Sequence, residues 1–200
     1  MSVTISIHHN FPDVAAALGR LSVNVGNKAV ARALNTTTSQ GLTAMARAIS
    51  GEYRVTVAQA KERLNIRRAT TKGGGLRLEA ALLATRRGKG RGMNLINFVT
   101  RIPQRTKRGK LAQLKFQIKR AGGAKTIKGA FVATNRKTGG RAVFVREGTA
   151  RMPIRTLTTI DIPQMFNTKR INGVIRTVML DRFDINFKRE LRAVLKGYAK

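Results

Sequence analysis

From Ala80 to Arg146 the chain runs for 67 residues without an aspartate or glutamate, and the same stretch carries 18 lysines and arginines. Ion pairing cannot neutralise it from within. The whole chain of 200 residues holds nine acids against 40 Lys and Arg, a net charge of +31. A globule of this mass exposes about 9,000 Å², so about one uncompensated positive charge falls on every 300 Å². Such a surface repels its own copies and attracts polyanions, in a salt-dependent way. Nucleic acid is the commonest partner of that kind; acidic proteins and acidic substrates are the others. An apolar content of 42% is nonetheless enough for a core, unlike that of a disordered basic tail.

Composition removes several classes. With no cysteine there is no disulfide framework, zinc ribbon, redox motif or thiol nucleophile. The longest apolar runs, Val14 to Leu18 and Ala80 to Ala84, are five residues each, too short to span a bilayer, so no membrane partner is expected. The N-terminus MSVTISIHHN lacks the basic and apolar regions of a signal peptide, which suggests a chain that is cytosolic where it is made. Tryptophan is absent and aromatics are 5%, which argues against a single-strand binder built on base stacking.

Candidate catalytic groups are few. His8 and His9 are the only imidazoles; adjacent on a strand pattern, they point to opposite faces and cannot chelate one metal without a bend. Asp181 and Asp184, at i and i+3, invite a Mg²⁺-dependent nuclease reading. That chemistry needs a third acid and a lysine arranged together, whereas Asp184 with Lys188 reads as an ordinary i, i+4 pair. Gly88-Lys89-Gly90-Arg91-Gly92 lacks the spacing and the following Ser or Thr of a nucleotide-binding loop. A histidine-dependent triad and metal chemistry are therefore not expected. As a basic loop, the region from Arg86 to Lys110 either lies along phosphates, orders against another subunit, or is simply solvated. The residues best placed to face phosphate are Arg86, Arg87, Lys89, Arg91, Arg105, Lys107, Arg108 and Lys110. Without interleaved aromatics they offer charge but no base readout.

The pattern of elements predicts an α+β fold in a single domain. Residues 12–68 read as helical, with short helices over Val14 to Leu21 and Val57 to Leu64 and a longer one from about Lys28 to Ser50. Ala29, Ala33, Leu34, Leu42, Met45, Ala46 and Ile49 give the long one an alanine-rich face that should pack close to a neighbour. Val3 to Ile7 alternates like a strand, and Thr56 with Gln59 forms a capping box. Residues 71–128 form a basic, glycine-rich middle with strand-like stretches at Leu76 to Ala84, Met93 to Val99 and Ala112 to Lys119. Residues 129–166 hold a hairpin at about 129–147, turning at Lys137-Thr138-Gly139-Gly140, then an extended crossing between Pro153 and Pro163. Residues 168–198 form a C-terminal helix capped by Thr168. Its stripe reads Ile171, Val174, Ile175 and Val178, continued by Leu180, Phe183, Phe187, Leu191, Val194 and Tyr198.

Two segments, taken together, resemble the minor tail protein Z family of tailed bacteriophages and prophages. One is Lys28 to Thr37 with the basic helix ending Lys61 to Thr70. The other is Gly129 to Ala133, the hairpin, and Met152 to Phe166 leading into a long basic helix. The stretch Glu147-Gly148-Thr149…Met152-Pro153 is also similar to a segment of a wider group of tail-completion and head–tail joining proteins. The resemblance, over roughly residues 14 to 198, implies a virion protein that finishes the tail at its head-proximal end. Its partners would be the tail terminator, the tube and the connector, and it implies no enzyme, no metal and no cofactor. Phage tail symmetry suggests a homo-oligomeric ring of six. Gly148, Pro153 and Pro163 would shape a turn and an extended crossing. Glu147 and Thr149 stand beside them, with Glu147 pairing to an arginine within a subunit or across an interface. A basic ring suits contact with sliding double-stranded DNA; the charge is otherwise offset by acidic neighbours or faces water. The alternative reading is a free, sequence-blind nucleic-acid-binding protein.

Overall fold

The computed structural model describes residues 3–6, 23–71, 78–84, 92–101, 113–134 and 139–197. A long helix, small antiparallel sheets and a second long helix follow in order, the expected α+β arrangement. The proposed helix over Val14 to Leu21 and the two histidines lie outside the described residues.

Helix α1 (Val23–Glu52) is 30 residues long. It starts before Lys28, so Asn24 and Gly26 lie within it and do not lead into it. Ala29, Ala33, Leu34, Met45, Ala46 and Ile49 are buried as the periodicity requires, while Leu42 is half-buried. Thr37 and Thr38 are buried on the same helix, and the Thr38 hydroxyl donates to the Leu34 carbonyl at 2.8 Å.

Helix α2 (Val57–Lys61) opens on the expected capping box: the Gln59 amide donates to Thr56 Oγ1 at 3.2 Å and the Thr56 amide to Gln59 Oε1 at 3.0 Å. It stops at Lys61, and helix gives way to strand β2 (Leu64–Arg67), contrary to the sequence expectation. Leu64 and Ile66 turn inward and Asn65 and Arg67 outward, the period of two of a strand, and the segment is held extended by its pairing with β3 described next. β2 and the N-terminal β1 (Val3–Ser6) flank β3 (Ala81–Ala84), both antiparallel to it.

The stretch expected as one strand from Met93 to Val99 is broken in two. β4 (Met93–Asn94) and β5 (Val99–Arg101) are separated by a 3-10 turn over Leu95–Phe98. Asn94 causes the break. Its Oδ1 accepts from the Ile96 amide at 2.9 Å, and the turn then buries Leu95 and Phe98 together. β5 pairs with β6 (Lys115–Phe116), which pairs with β7 (Lys125–Thr126).

β8 (Phe131–Thr134) and β9 (Arg141–Arg146) form the expected hairpin, in register from Phe131 opposite Phe144 to Thr134 opposite Arg141. Gly139 has φ +67°, a conformation that side-chain-bearing residues rarely adopt. Replacing Gly139 and Gly140 together by valine should lower soluble yield and the thermal midpoint; an unchanged midpoint would mean that the turn is made elsewhere. β9 pairs on its other edge with β10 (Ile154–Thr156), and β11 (Thr158–Thr159) then pairs with β4. The segment between Pro153 and Ile160 therefore leaves one sheet and joins another. Leu157 sits at the junction: its amide donates to Val143 O at 2.9 Å and its carbonyl accepts from the Leu95 amide at 3.1 Å.

The crossing expected between Pro153 and Pro163 is extended as far as Asp161, but Pro163 is not part of its boundary loop. It lies buried in the first turn of helix α3 (Ile162–Phe166), where a missing N–H costs nothing. Asp161 caps this helix, its Oδ1 accepting from the Ile162 amide at 2.8 Å, while its own amide donates to Gln164 Oε1 at 2.9 Å.

Helix α4 (Lys169–Leu195), 27 residues, follows Thr168, whose hydroxyl makes no cap bond and lies 3.4 Å from the Tyr53 hydroxyl. Its buried ridge is Ile171, Ile175, Met179, Phe183 and Phe187, every fourth residue, with Asn186 beside it. Val174, expected inside, is 54% exposed, and Val178 is half-buried. Tyr53 beside Thr168, Gly41 under Met179 and Thr37 bonded to Asn186 show that α1 and α4 run antiparallel. The alanine-rich face packs closely, as expected: a Cβ on Gly41 would stand 2.8 Å from Met179 Sδ. The main core gathers the C-terminal half of α1, α3, the start of α4 and the inner faces of the sheets. A smaller cluster joins Ala31, Ala33 and Leu34 to Phe183 and Phe187.

Candidate interaction surfaces

The eight cations expected to meet phosphate, Arg86, Arg87, Lys89, Arg91, Arg105, Lys107, Arg108 and Lys110, lie outside the described residues. Gly92 is described, and it is not mere loop punctuation. A Cβ built there would overlap the Thr159 carbonyl oxygen and stand 3.0 Å from the Thr159 carbonyl carbon. Glycine is what lets β4 and β11 meet.

Glu147, Gly148, Thr149 and Pro153 come together in the loop joining β9 to β10, exposed from end to end. The Glu147 amide closes the loop on the Pro153 carbonyl at 3.2 Å. Glu147 Oε1 faces Arg155 Nε across the hairpin at 3.9 Å, so the acid that ends the acid-free stretch meets an arginine of its own chain. Both side chains are more than half exposed, which keeps the pair weak. Gly148 has no heavy atom within 4 Å of a Cβ position and no left-handed φ, so its turn does not require glycine. The loop presents Arg151 and Met152, the latter 63% exposed. Pro163 belongs to the core and not to this loop.

Some cations of the acid-free stretch do structural work that composition conceals. Arg120 caps the C-terminus of α1, its amide donating to Glu52 O at 2.9 Å and its Nε to Ser50 O at 2.7 Å. Helix C-termini leave carbonyls unpaired and favour positive charge, so backbone oxygen here takes the place of a carboxylate. Lys119 lies 3.6 Å from Glu52 Oε1 and 5.8 Å from the centre of the Tyr53 ring. Arg146 lies 5.0 Å over the Phe131 ring. In α4, Asp184 pairs with Lys188 at 3.1 Å and Asp181 is exposed. Among the described residues no three of His, Asp and Glu come together as a metal site.

Two asparagines join segments that are distant in the chain. Asn35 Nδ2 donates to the Ala69 carbonyl at 3.0 Å, and its Oδ1 accepts from the Ala69 amide at 2.9 Å, as a neighbouring strand would. Asn94 Oδ1 accepts from the Val143 amide at 3.0 Å as well as from its own turn. Sequence reasoning passes over both, since an asparagine in a helix or a short strand carries no signal of its distant partner.

Among the described residues the exposed features are a backbone-closed loop and cation-bearing faces on a pair of packed helices. The family model for prophage minor tail protein Z (GPZ) matches residues 14–197, and the chain belongs to that family. It is a phage minor tail protein, part of the virion, with a structural role and with other tail components as its partners. No curated protein and no solved structure matches it. Asn35 and Ala69, bonded to each other, both lie in the first of the two segments that carry the family resemblance.

Proposed function

We propose that the protein completes the tail at its head-proximal end, as a ring of copies joining the terminator, tube and connector, with the basic middle turned toward the DNA path. The observation that carries this reading is the exposed, backbone-closed loop from Glu147 to Pro153 at the end of the β9–β10 hairpin. Its sequence resembles a segment of tail-completion and head–tail joining proteins, and its position leaves Glu147, Gly148, Thr149 and Pro153 open to a neighbour. Pro163 acts indirectly, by holding α3 in the core. A closed ring satisfies the heterologous contact such a loop would make, and six is the number that matches tail symmetry. A charge of +31 per copy makes a ring costly unless DNA or acidic neighbours offset it.

Changing Lys89, Arg91, Lys107 and Arg108 to glutamine tests the DNA-facing part. Phosphate contacts release counterions, giving a log–log salt slope of about −0.9 per phosphate neutralised. The quadruple variant should flatten that slope by a few units, fold normally and show no sequence preference. Tails carrying it should build their tube yet join heads or deliver DNA poorly. Unchanged DNA binding with fully infective particles would reduce the basic middle to a solvated surface.

A further inference from the structure

One side of the α1–α4 pair is hollowed into a groove. Its first half lies between Thr36, Ser39, Gln40 and Arg47 of α1 and Val178 and Arg182 of α4. Its second half lies between Ala48 and Gly51 of α1 and Arg170 and Val174 of α4, and ends at the turn carrying Lys119 and Arg120. The lining positions advance by three or four residues on both helices, so the hollows follow one another on the same side of the pair. From Thr36 to Gly51 the groove is about 22 Å long, at 1.5 Å of rise per residue.

Its chemistry defines what fits. The floor is low, made by Ala44, Ala48 and Gly51, and no heavy atom lies within 4 Å of where a Gly51 Cβ would be. The α4 wall is apolar, with Val174 54% exposed beside Val178. The rim is cationic: Arg47, Arg170 and Arg182 are all exposed. Glu52 is the single acid among the lining residues, and Lys119 already pairs with it at 3.6 Å. Gln40 Oε1 accepts from Asn186 at 3.1 Å, which orients the amide and leaves its NH₂ as a donor toward the groove.

We propose that this groove docks an acidic amphipathic helix of another tail component. A small-residue floor lets a helix backbone come near, the valines meet its apolar face, and the arginines meet its carboxylates. A DNA duplex is too wide for a cleft between helices whose axes stand about 8–10 Å apart, and it gains nothing from exposed valine. A second copy is a poor occupant: α1 has one acid, Glu52, and α4 has three against seven Lys and Arg. The inference rests on the assembly reading for the existence of a tail partner. It is tested with peptides, so its failure would leave the virion role standing.

The test uses the full chain and a fluorescent peptide of about 16 residues, which as a helix spans about 24 Å. The peptide carries Leu and Ala on one face and Glu on the other; a scrambled peptide of the same composition and a short DNA duplex serve as the other arms. The patterned peptide should bind at least about tenfold tighter than the scrambled one. Gly51→Phe puts a ring on the floor from a Cβ with no heavy atom within 4 Å, and should weaken binding about tenfold or more while the thermal midpoint holds. Val174→Asp, at an exposed position, should act in the same direction. Equal binding of both peptides, or patterned binding untouched by both substitutions, would overturn the proposal in favour of bare surface charge. Loss of duplex binding in Gly51→Phe with peptide binding intact would overturn it in favour of nucleic acid.

Discussion

Gly92→Ala should be among the most damaging single-methyl substitutions in this protein, costing about 3 kcal/mol, the upper part of the range for overpacked sites. The added Cβ would meet the Thr159 carbonyl, which is backbone and cannot rotate aside, so β4 and β11 must separate. Thr159 pairs with Met93, and the neighbouring Leu157 holds both Leu95 and Val143, so the disturbance reaches the hairpin. For a domain of this size the midpoint should fall by about 6–12 °C. A wild-type thermal midpoint in Gly92→Ala would mean that the two strands do not approach as described.

Phe187→Ala should cost about 3–5 kcal/mol, and the surroundings point to the upper half of that range. Phe187 is 3% exposed and stacks on Phe183 with ring centres 6.0 Å apart. Its cluster includes Ala31 and Ala33 on α1, with Ala69 and Ala80. These alanines have no length with which to swing into a void, so only Leu34, Phe183, Val30 and Leu191 could move to narrow it. Phe187→Leu, which leaves most of the volume, should cost far less. A wild-type thermal midpoint in the alanine variant would show that this face of α4 meets water or a partner instead of α1.

The two long helices and the hairpin were legible because their signals are local: a sustained three-to-four spacing, and two alternating runs around a glycine pair. What escaped was set by distant partners or by competing local signals. β2 follows a well-formed capping box and a basic helix, and only its pairing with β3 makes Leu64–Arg67 extended. In α4 the expected stripe holds at Ile171, Ile175, Phe183 and Phe187, but it counts Val174 as inside and passes over Met179. The ridge 171, 175, 179, 183, 187 runs through Met179, because Gly41 opens a recess for a long, flexible side chain. α3 did have a signal, Asp161 three residues before Gln164 with proline in the first turn, but Pro163 suggests a boundary when read alone. Of the residues proposed for an interface, those from Glu147 to Pro153 form a unit in both sequence and structure. The uses of Arg120 and Asn35 depend on backbone atoms tens of residues away, which no spacing rule encodes.

The place proposed for this structural tail protein is the junction of tail and head. An electron-microscopy map of the head-proximal tail end, from particles carrying the chain with a compact tag at its C-terminus, tests it most directly. The expected density is a ring of six tagged copies between the terminator and the connector, with the Glu147 to Pro153 loop against a neighbouring chain and the basic middle toward the DNA. Tag density at the distal tip, or none at the head-proximal end of tails that contain the protein, would contradict it.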